Sequence, residues 1–355
     1  MDKNIDPRLI TPSYINKPDV RFFGAEGEPF SLHGVIKSEK GYRRLPEEIS
    51  AKVNTRARKF SGATSGGRIR FATDSSYIAI RAHLGDIYRI SMLTLTLSAG
   101  FDLYSGEEFL GAFNPPYEIQ SGGVYEAVIN LGSGIGPGRR EVRELTLYMP
   151  AYSEVLELEI GVDREAKLFP AVDYSLKSPI VFYGSSITHG ACASRPGLTF
   201  PNIISRAIDA EIYNLGFGAG CRGELSLAEY ITALKPSAAV VAYDHNAPNA
   251  NKLLETHGSF YETLRASSPH LPIILVSRPD VHENEDGNRR FEIIKGTYDG
   301  AVLSGDRAVF LVDGRELLSA AEHTSDGIHP NDIGEREIAK KLEKIIRIAV
   351  NVNNY

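Results

Sequence analysis

Three residues in the C-terminal half of the sequence have types and spacings that suit nucleophilic catalysis. Ser186 follows the apolar segment 179–183 and Gly184, so its hydroxyl is expected on a turn at the end of a strand. A serine hydroxyl is a weak nucleophile unless a base takes its proton. In Asp326-Gly-Ile-His329 the spacing allows a carboxylate to orient an imidazole across a tight turn and to stabilise its protonated form. These residues are therefore a candidate nucleophile, base and orienting acid.

Each of these residues also has an ordinary structural interpretation. Ser185, Ser186 and Thr188 lie where a helix is expected to begin, and serine and threonine often cap helices at that position. An aspartate close to a histidine on a surface turn is also common. For Ser186 taken alone, capping and catalysis are equally good interpretations. The serine motif and the Asp-His motif taken together favour catalysis.

Cleavage of an ester also requires hydrogen-bond donors that stabilise a negatively charged oxygen. Asn246 follows the apolar segment 238–243 and could offer its side-chain N–H groups. The glycine-rich segment 216–223 could offer backbone N–H groups. Asparagine at the end of a strand is otherwise a frequent turn residue. Both interpretations of Asn246 stay open at this point.

The order of elements in the C-terminal half is expected to bring these segments together. From about residue 167, apolar runs alternate with amphipathic stretches, which predicts βαβ units and a parallel sheet. Loops at the carboxyl ends of such strands line a common crevice, so the segments holding Ser186, Asn246 and His329 should face one pocket. The predicted strands are 180–183, 211–214, 238–243, 272–276 and 309–312, and the apolar helix faces carry Phe200, Ile203, Ile204, Ala207 and Ile208, then Ile338, Leu342, Ile345 and Ile346.

The N-terminal half has a different pattern. Between about residues 60 and 163, short runs of alternating polarity, rich in β-branched and aromatic residues, are separated by Gly, Pro, Asn and Ser. This pattern predicts antiparallel strands in a sandwich or jelly roll. The first sixty residues show no pattern that places them. A chain of 355 residues is long for one core, so we predict two domains, residues 1–175 and 176–355.

The four segments that follow predicted strands resemble the four sequence blocks of the SGNH (GDSL-type) hydrolase family. Residues 184–188, Gly-Ser-Ser-Ile-Thr, resemble the nucleophile block GDSxT, with Ser185 in place of its Asp. Residues 326–329 resemble the DxxH block. Residues 214–220 resemble the block that supplies the oxyanion glycine, and residues 244–247 resemble the GxND block at Asn246.

This resemblance implies a flavodoxin-like, three-layer α/β/α domain over about residues 177–348, preceded by an all-β, jelly-roll-like sandwich, with no metal and no cofactor. It implies Ser186, Asp326 and His329 as catalytic triad. It also implies an oxyanion hole formed by the N–H groups of Ser186 and Ala219 and the side chain of Asn246. Ala219 stands where the family has glycine, so the loop must have a conformation that alanine can adopt.

Family members with an N-terminal β-sandwich are similar to deacylases of carbohydrates and small esters. The resemblance therefore points to a serine esterase that acts on a small acyl ester, with an acetylated carbohydrate as the expected substrate. The sandwich domain is expected to take part in recognising that substrate. Acyl transfer to an alcohol, or hydrolysis of lipid-type esters, would use the same triad and is the nearest chemical alternative.

Two alternatives come from other classes of protein. Gly218-x-Gly220-x-x-Gly223 follows a predicted strand, and Asp244 lies 21 residues further on, as in an NAD(P)-binding oxidoreductase. That interpretation leaves the serine and Asp-His motifs unexplained. The second alternative is an inactive glycan-binding protein. The absence of tryptophan from the sequence disfavours it, although Tyr and Phe can also stack on sugars.

Composition limits the partners and the location. The net charge of −6 disfavours nucleic acid, and no apolar run approaches the ~20 residues of a membrane-spanning helix. The first residues lack the apolar core of a signal peptide, so we expect a cytoplasmic protein. The sequence contains no zinc-binding or phosphate-binding motif, and it leaves the oligomeric state undetermined.

Several other reactive side chains are predicted to have no catalytic role. Cys192 and Cys221 lie just past predicted site loops, but nothing near them in the sequence lowers a thiol pKa, so both are expected to be ordinary reduced cysteines. Arg195, Arg222 and Arg278 fall near predicted strand ends, where an arginine could hold an anionic group of the substrate. A solvated surface position is the expectation for all three.

Overall fold

The alternating segments of the N-terminal half form two antiparallel sheets in the computed structural model, which describes residues 15–132, 141–282 and 284–352. Residues 1–14, on which the expectation about a signal peptide rests, lie outside these ranges. The strands are β1 (Arg21–Gly24), β2 (Ser31–His33), β3 (Ile36–Ser38), β4 (Gly41–Arg43), β5 (Arg68–Thr73), β6 (Tyr77–Ile87), β7 (Phe101–Ser105), β8 (Glu108–Phe113), β9 (Val124–Asn130), β10 (Arg143–Tyr148), β11 (Ser153–Val162) and β12 (Leu168–Phe169). The helices are α1 (Glu47–Ser50), α2 (Thr55–Ser61) and α3 (Leu95–Ala99).

The two sheets face each other across a buried apolar core. One has the order β3-β4-β11-β6-β9 with β1 also on β11, and the other has the order β12-β5-β10-β7-β8 with β2 also on β5. Alternate residues along each strand point inward, as the period of two in the sequence requires. The shared core includes Ile78, Ile80, Leu84, Leu158 and Ile160 from the first sheet and Ile69, Phe71, Leu103, Leu145 and Leu147 from the second. The predicted β-sandwich is confirmed.

The C-terminal half folds around a five-stranded parallel sheet. Its strands are β13 (Leu176–Gly184), β14 (Ala210–Gly216), β15 (Ala238–Ala242), β16 (Ile273–Val276) and β17 (Val309–Val312). Its helices are α4 (Ser186–His189), α5 (Phe200–Ile208), α6 (Leu225–Ala233), α7 (Ala250–Ser267), α8 (Glu285–Leu303) and α9 (Asp332–Val352). The sheet order is β14-β13-β15-β16-β17, which is the flavodoxin-like order 2-1-3-4-5. The predicted fold class is confirmed.

Both faces of the parallel sheet are covered, which explains why its strands are almost continuously apolar. Ile204 of α5 and Ile338 of α9 belong to the core on one face. Leu227 of α6, Leu253 of α7 and Ile294 of α8 belong to the core on the other. The result is the three-layer α/β/α arrangement.

The second of these cores does not end at the parallel sheet. It continues into the N-terminal region, here defined as residues 15–169, through Leu45, Ala57, Phe60 and Tyr152, all of which are buried. Leu45, Ala57 and Phe60 come from the first sixty residues of the chain. The sequence pattern did not place this segment, because its four strands have only three or four residues each. The N-terminal region therefore shares a core with the C-terminal region, residues 176–352.

In the described ranges, none of the helices is both long enough and apolar enough to cross a membrane. Those ranges also hold no group of three or more His, Cys, Asp and Glu side chains arranged to bind a metal ion.

Candidate active site

The structure brings Ser186, His329 and Asp326 into one hydrogen-bonded chain. Ser186 Oγ lies 2.8 Å from His329 Nε2, and His329 Nδ1 lies 2.8 Å from Asp326 Oδ2. A proton on Nδ1, donated to the carboxylate, leaves Nε2 free to accept the serine proton. The His329 side chain is 17% exposed and that of Asp326 is 33% exposed. This geometry suits the activation of a serine nucleophile at an accessible surface.

The turn that presents Ser186 depends on close backbone packing. Strand β13 ends at Gly184, and α4 begins at Ser186. A Cβ on Gly184 would lie 2.1 Å from Thr188 Oγ1, and a Cβ on Gly216 would lie 2.5 Å from His189 N. Glycine at both positions therefore allows α4 to sit directly on the ends of the two neighbouring strands.

The structure gives the two adjacent serines, Ser185 and Ser186, different hydrogen-bond partners. Ser185 is the N-cap of α4, and its Oγ accepts a hydrogen bond from the backbone N–H of Ile187 at 3.2 Å. Ser186 is the first helical residue, and its Oγ is directed to His329 instead. The expectation that Ser186 could be merely a cap is wrong. Ser185, which replaces the aspartate of the GDSxT block, supplies the cap.

The Asp-His turn, residues 324–330, is held largely by its own backbone. Thr324 and Pro330 form an isolated antiparallel bridge that closes the turn. Asp326 Oδ1 accepts the N–H groups of Ile328 at 3.0 Å and of His329 at 2.7 Å. Burial raises the pKa of Asp326, but the hydrogen bonds from His329 outweigh it and hold that pKa below its usual value. Asp326 is therefore ionised at neutral pH.

The other predicted site residues meet in the oxyanion loop, residues 216–219. Asn246 Nδ2 donates to the Phe217 carbonyl at 3.0 Å, and Asn246 Oδ1 accepts the N–H of Ala219 at 3.1 Å. Ala219 has φ +57°, the left-handed conformation that usually favours glycine. A Cβ on Gly218 would lie 3.6 Å from the Cβ of Ser186, so the loop runs beside Ser186. The roles of Ala219 and Asn246 as oxyanion donors stay predictions.

Two buried residues that contact this loop were not among the predicted site residues. Arg44, from the connection between β4 and α1, donates to the carbonyl of Gly216 at 2.6 Å. His189 accepts the N–H of Gly218 on its Nδ1 at 3.4 Å. Arg44 lies in the segment without a readable pattern. His189 directly follows the nucleophile block, and this position was the one feature of the sequence that could have indicated a role at the site.

The loop that suggested a dinucleotide fingerprint is filled by the protein itself. Asn54 Nδ2 donates to the carbonyl of Gly220 at 2.6 Å, and a Cβ on Gly220 would lie 2.8 Å from the backbone nitrogen of Ala57. Helix α2 therefore occupies the space beside these glycines that a pyrophosphate would need. Asp244 is buried, and its Oδ2 accepts the N–H of Arg278. The oxidoreductase interpretation does not fit this geometry.

The cysteine expectation agrees with the structure. Cys192 and Cys221 are buried and unpaired with each other. Burial raises the pKa of the Cys192 thiol to about 11 and raises that of Cys221 as well. Both thiols are therefore protonated at neutral pH, and neither is activated as a nucleophile.

The surface expectation is wrong for two of the three arginines. Arg195 Nη1 donates to Asp102 Oδ2 at 2.8 Å and to Tyr104 Oη at 2.6 Å, and its side chain is 17% exposed. Arg278 forms an ion pair with Asp280 at 2.7 Å, and its side chain is 15% exposed. The partners of Arg195 lie 93 and 91 residues away in the sequence, whereas the partner of Arg278 lies only 2 residues away. Arg222 is exposed, as expected.

Two family models match the sequence. A model described as GDSL-like Lipase/Acylhydrolase family matches residues 177–347. A model described as the N-terminus of SGNH-hydrolase-type esterases, GxDLY, matches residues 20–168. The chain carries those letters as Gly100-Phe101-Asp102-Leu103-Tyr104, the segment that binds Arg195. A comparison of the sequence with curated proteins found no significant match.

Similar solved structures span nearly the whole chain. A Bacteroides ovatus protein described as a GDSL-like lipase is 27% identical with a TM-score of 0.81, over 94% of this chain and 98% of that chain. The salicylyl-acyltransferase SsfX3 from a tetracycline biosynthetic pathway is 18% identical with a TM-score of 0.76, over 93% and 98%. A family two carbohydrate esterase from Clostridium thermocellum is 14% identical with a TM-score of 0.63, over 91% and 99%. The last two likenesses show a shared fold.

Proposed function

The chain is a carboxylic ester hydrolase whose C-terminal region belongs to the GDSL-like lipase/acylhydrolase family, and on that premise we propose that Ser186 hydrolyses small acyl esters through an acyl-enzyme. The observation that carries this proposal is the chain of two 2.8 Å contacts from Ser186 through His329 to Asp326. A serine, an imidazole and a carboxylate linked in this order form a nucleophile with its base and orienting acid.

The reaction has two halves. His329 Nε2 takes the proton of Ser186 as Oγ attacks the ester carbonyl, and the protonated imidazole then gives that proton to the departing alcohol oxygen. Water next attacks the acyl-enzyme, with His329 as base, and releases the carboxylic acid and free Ser186. Asp326 holds the imidazole in the required tautomer and stabilises its charge throughout.

The tetrahedral oxyanion would be held by the N–H groups of Ser186 and Ala219 and by the Asn246 side-chain amide. Ser186 is in the first turn of α4, where backbone N–H groups have no acceptor within the helix. The Gly218 N–H donates to His189 Nδ1 at 3.4 Å and the Ala219 N–H donates to Asn246 Oδ1 at 3.1 Å, so Ala219 would have to exchange that acceptor for the oxyanion. Asn246 Nδ2 gives one proton to the Phe217 carbonyl and keeps a second one for the oxyanion.

We propose an acetylated carbohydrate as the substrate. The fold that this chain shares with a family two carbohydrate esterase, over 91% of the chain, supports this substrate class.

The test of the nucleophile compares two adjacent serines. Ser186→Ala should lower the rate of p-nitrophenyl acetate hydrolysis by about 10³-fold or more, as loss of a triad member does. Ser185→Ala is the matched control, because it removes the cap of α4, costing about 1 kcal/mol of stability, but keeps the nucleophile. Equal rates for Ser186→Ala and the wild type, both folded by circular dichroism, would refute the proposal.

The substrate class needs its own experiment. Release of acetate from acetylated xylan or from cellobiose octaacetate, compared with hydrolysis of p-nitrophenyl octanoate, separates sugar esters from lipid-type esters. Added methanol separates hydrolysis from acyl transfer, because transfer yields methyl acetate in place of acetic acid. Faster hydrolysis of octanoate than of acetate would contradict the short-acyl assignment while leaving Ser186 as nucleophile.

A further inference from the structure

Each of the four residues of the oxyanion loop has a backbone group that is hydrogen-bonded to a side chain. The carbonyl of Gly216 accepts from Arg44, and the carbonyl of Phe217 accepts from Asn246. The N–H of Gly218 donates to His189, and the N–H of Ala219 donates to Asn246. The loop is therefore fixed at four consecutive residues. Two of these contacts are made by Arg44 and His189. Neither side chain takes part in the acyl-enzyme mechanism.

Arg44 is a fully buried arginine that joins the two regions of the molecule. Its guanidinium donates to the carbonyls of Phe60 and Ala63 in the N-terminal region, at 2.6 and 2.9 Å. It also donates to the carbonyls of Asn214 and Gly216 in the C-terminal region, at 3.0 and 2.6 Å. Because one planar group serves four fixed acceptors, it sets the position of the end of β14 relative to the sandwich.

The charge of Arg44 is balanced by carbonyl dipoles. Its side chain is in no ion pair among the residues that the structure describes, and the guanidinium lies 4.4 Å from the centre of the Phe217 ring. Burial lowers the pKa of Arg44 to about 9, so the group stays charged at neutral pH. A buried charge of this kind is stable only while its hydrogen-bond acceptors stay in place, so loosening of the loop would carry a large energetic cost.

His189 makes the second link, and its tautomer is fixed by its neighbours. Its Nδ1 accepts the N–H of Gly218, which assigns the ring proton to Nε2, and Nε2 then donates to the carbonyl of Ala151 at 2.8 Å. Arg44 Nη2 lies 3.2 Å from the same Nε2, so in this tautomer the two donors are in contact and both are directed to carbonyls. The ring stacks on Tyr152 with centroids 4.0 Å apart. Burial, followed by the nearby charge of Arg44, holds the pKa of His189 well below its usual value. The imidazole is therefore neutral, and it connects the sandwich to the oxyanion loop.

We propose that Arg44 and His189 are positioning residues for the oxyanion loop, so that the N-terminal β-sandwich is a working part of the ester-hydrolysis site. This inference rests on the proposed function of Ser186. An oxyanion hole acts through donors that are already in place when charge develops. A loop that can shift by about 1 Å loses that advantage, which costs about 100-fold in rate without weakening the binding of the ground state.

Two substitutions of His189 each remove a different one of its hydrogen bonds to Gly218 and Ala151. In His189→Asn the amide oxygen can replace Nδ1 as acceptor for Gly218, but the side chain is too short to reach Ala151. In His189→Gln the amide nitrogen can replace Nε2 as donor to Ala151, but the bond to Gly218 is lost. The two variants remove one hydrogen bond each from the same buried position, so a purely structural role predicts similar effects for both.

The experiment measures kcat and KM for p-nitrophenyl acetate and the inhibition constant of phenylboronic acid, which forms a tetrahedral adduct with a serine nucleophile. We expect His189→Gln to lower kcat by about 10- to 100-fold with little change in KM. His189→Asn should recover most of that loss. Phenylboronic acid should bind more weakly to His189→Gln by a similar factor, because its adduct needs the same donors as the transition state.

Arg44→Lys tests the link from the sandwich, because it keeps the charge but cannot serve four carbonyls. It should lower kcat by about 10-fold or more. Arg58→Lys is the matched control, since Arg58 donates to the carbonyls of Ser50 and Ala51 within its own region and should keep the wild-type kcat. If Arg44→Lys does not fold, the His189 pair still decides the proposal.

The two levels of inference fail in different ways. Equal kcat values and equal phenylboronic acid affinities for the wild type and His189→Gln would overturn the positioning role, while Ser186-dependent hydrolysis by the wild type would leave the proposed function standing. Absence of Ser186-dependent hydrolysis by the folded wild type would overturn the proposed function, and the positioning role with it.

Discussion

The two loops that flank Ser186 are held in different ways. The Asp-His turn is closed by a bridge between Thr324 and Pro330 and by bonds from its own backbone to Asp326, so its geometry is local. The oxyanion loop is held by Asn246, by His189 and by Arg44, which is 172 residues away from Gly216 in the sequence. One half of the machinery is built by a short segment, and the other depends on contacts across the whole molecule.

This difference predicts separate consequences for substitutions. A change in the Asp-His turn should affect the chemistry while leaving the stability of the molecule almost unchanged. A change at the contact between the two regions should mainly lower the free energy of unfolding. It should also lower the rate of hydrolysis, because it shifts the loops beside Ser186.

The largest effect is expected for Asp326→Asn. The amide keeps an oxygen for the backbone N–H groups of the turn but presents a donor to His329 Nδ1, which favours the wrong imidazole tautomer. We expect kcat/KM for p-nitrophenyl acetate to fall by about 10³- to 10⁴-fold, with a melting temperature within a few degrees of the wild type. Glu322→Gln, an exposed change near the turn, is the control. A large drop in melting temperature for Asp326→Asn would show that the turn is not locally stable.

An intermediate effect is expected for Asp102→Asn, and it should appear in stability and not in the chemical step. Asp102 is fully buried and pairs with Arg195 at 2.8 Å, while the same oxygen accepts the N–H of Gly197 at 2.8 Å. Neutralising it leaves Arg195 without its partner, which should cost about 3 kcal/mol of unfolding free energy. Urea denaturation measures this, with the exposed Glu108→Gln on the neighbouring strand as control. Unchanged stability would mean that the ion pair does not hold the two regions together.

The smallest effect is expected for Glu335→Gln in α9. Glu335 is fully buried, its Oε2 accepts the N–H of Phe200 at 2.7 Å, and its Oε1 has no hydrogen-bond partner among the described residues. Burial raises its pKa well above the usual value, so the folded protein keeps a proton that the unfolded chain releases. Stability from this group is therefore present at acid pH and lost as the pH rises through the raised pKa.

Glutamine does not ionise, so the melting temperature of Glu335→Gln relative to the wild type should increase from pH 5 to pH 8 by a few degrees. Thermal unfolding at several pH values measures this difference. Glu343→Gln, which removes an ion pair with Arg347 on the same helix, should lower stability slightly and without that pH trend. A difference for Glu335→Gln that shrinks with pH would contradict the assignment of a protonated carboxyl.

The same contrast between local and long-range contacts explains what could be predicted from the sequence. The parallel sheet and the serine and Asp-His motifs were predictable, because strands, turns and a three-residue spacing are local patterns. The flavodoxin-like order of the strands followed only from the resemblance to a known family. The division of roles between Ser185 and Ser186 was not, because two adjacent serines look alike until the position of His329 is known.

Arg44 and Arg195 show why the rest could not be predicted. Arg44 has two acceptors that lie 170 and 172 residues away, and the acceptors of Arg195 lie 93 and 91 residues away. Contacts of this kind leave no periodicity in the sequence. The expectation for Arg195 is a solvated surface, since arginine is seldom buried, and Arg44 lies in the segment without a readable pattern. Only the folded arrangement of the two regions supplies those partners.

The buried guanidinium of Arg44 also bears on the order in which the molecule is made. During synthesis the sandwich leaves the ribosome first, and domains generally fold as units in that order. In that order the carbonyls of Asn214 and Gly216 would meet an arginine placed by the folded sandwich, and β14 would pack against that surface. A separately expressed C-terminal region would lack this template, and its exposed apolar face would favour aggregation over assembly.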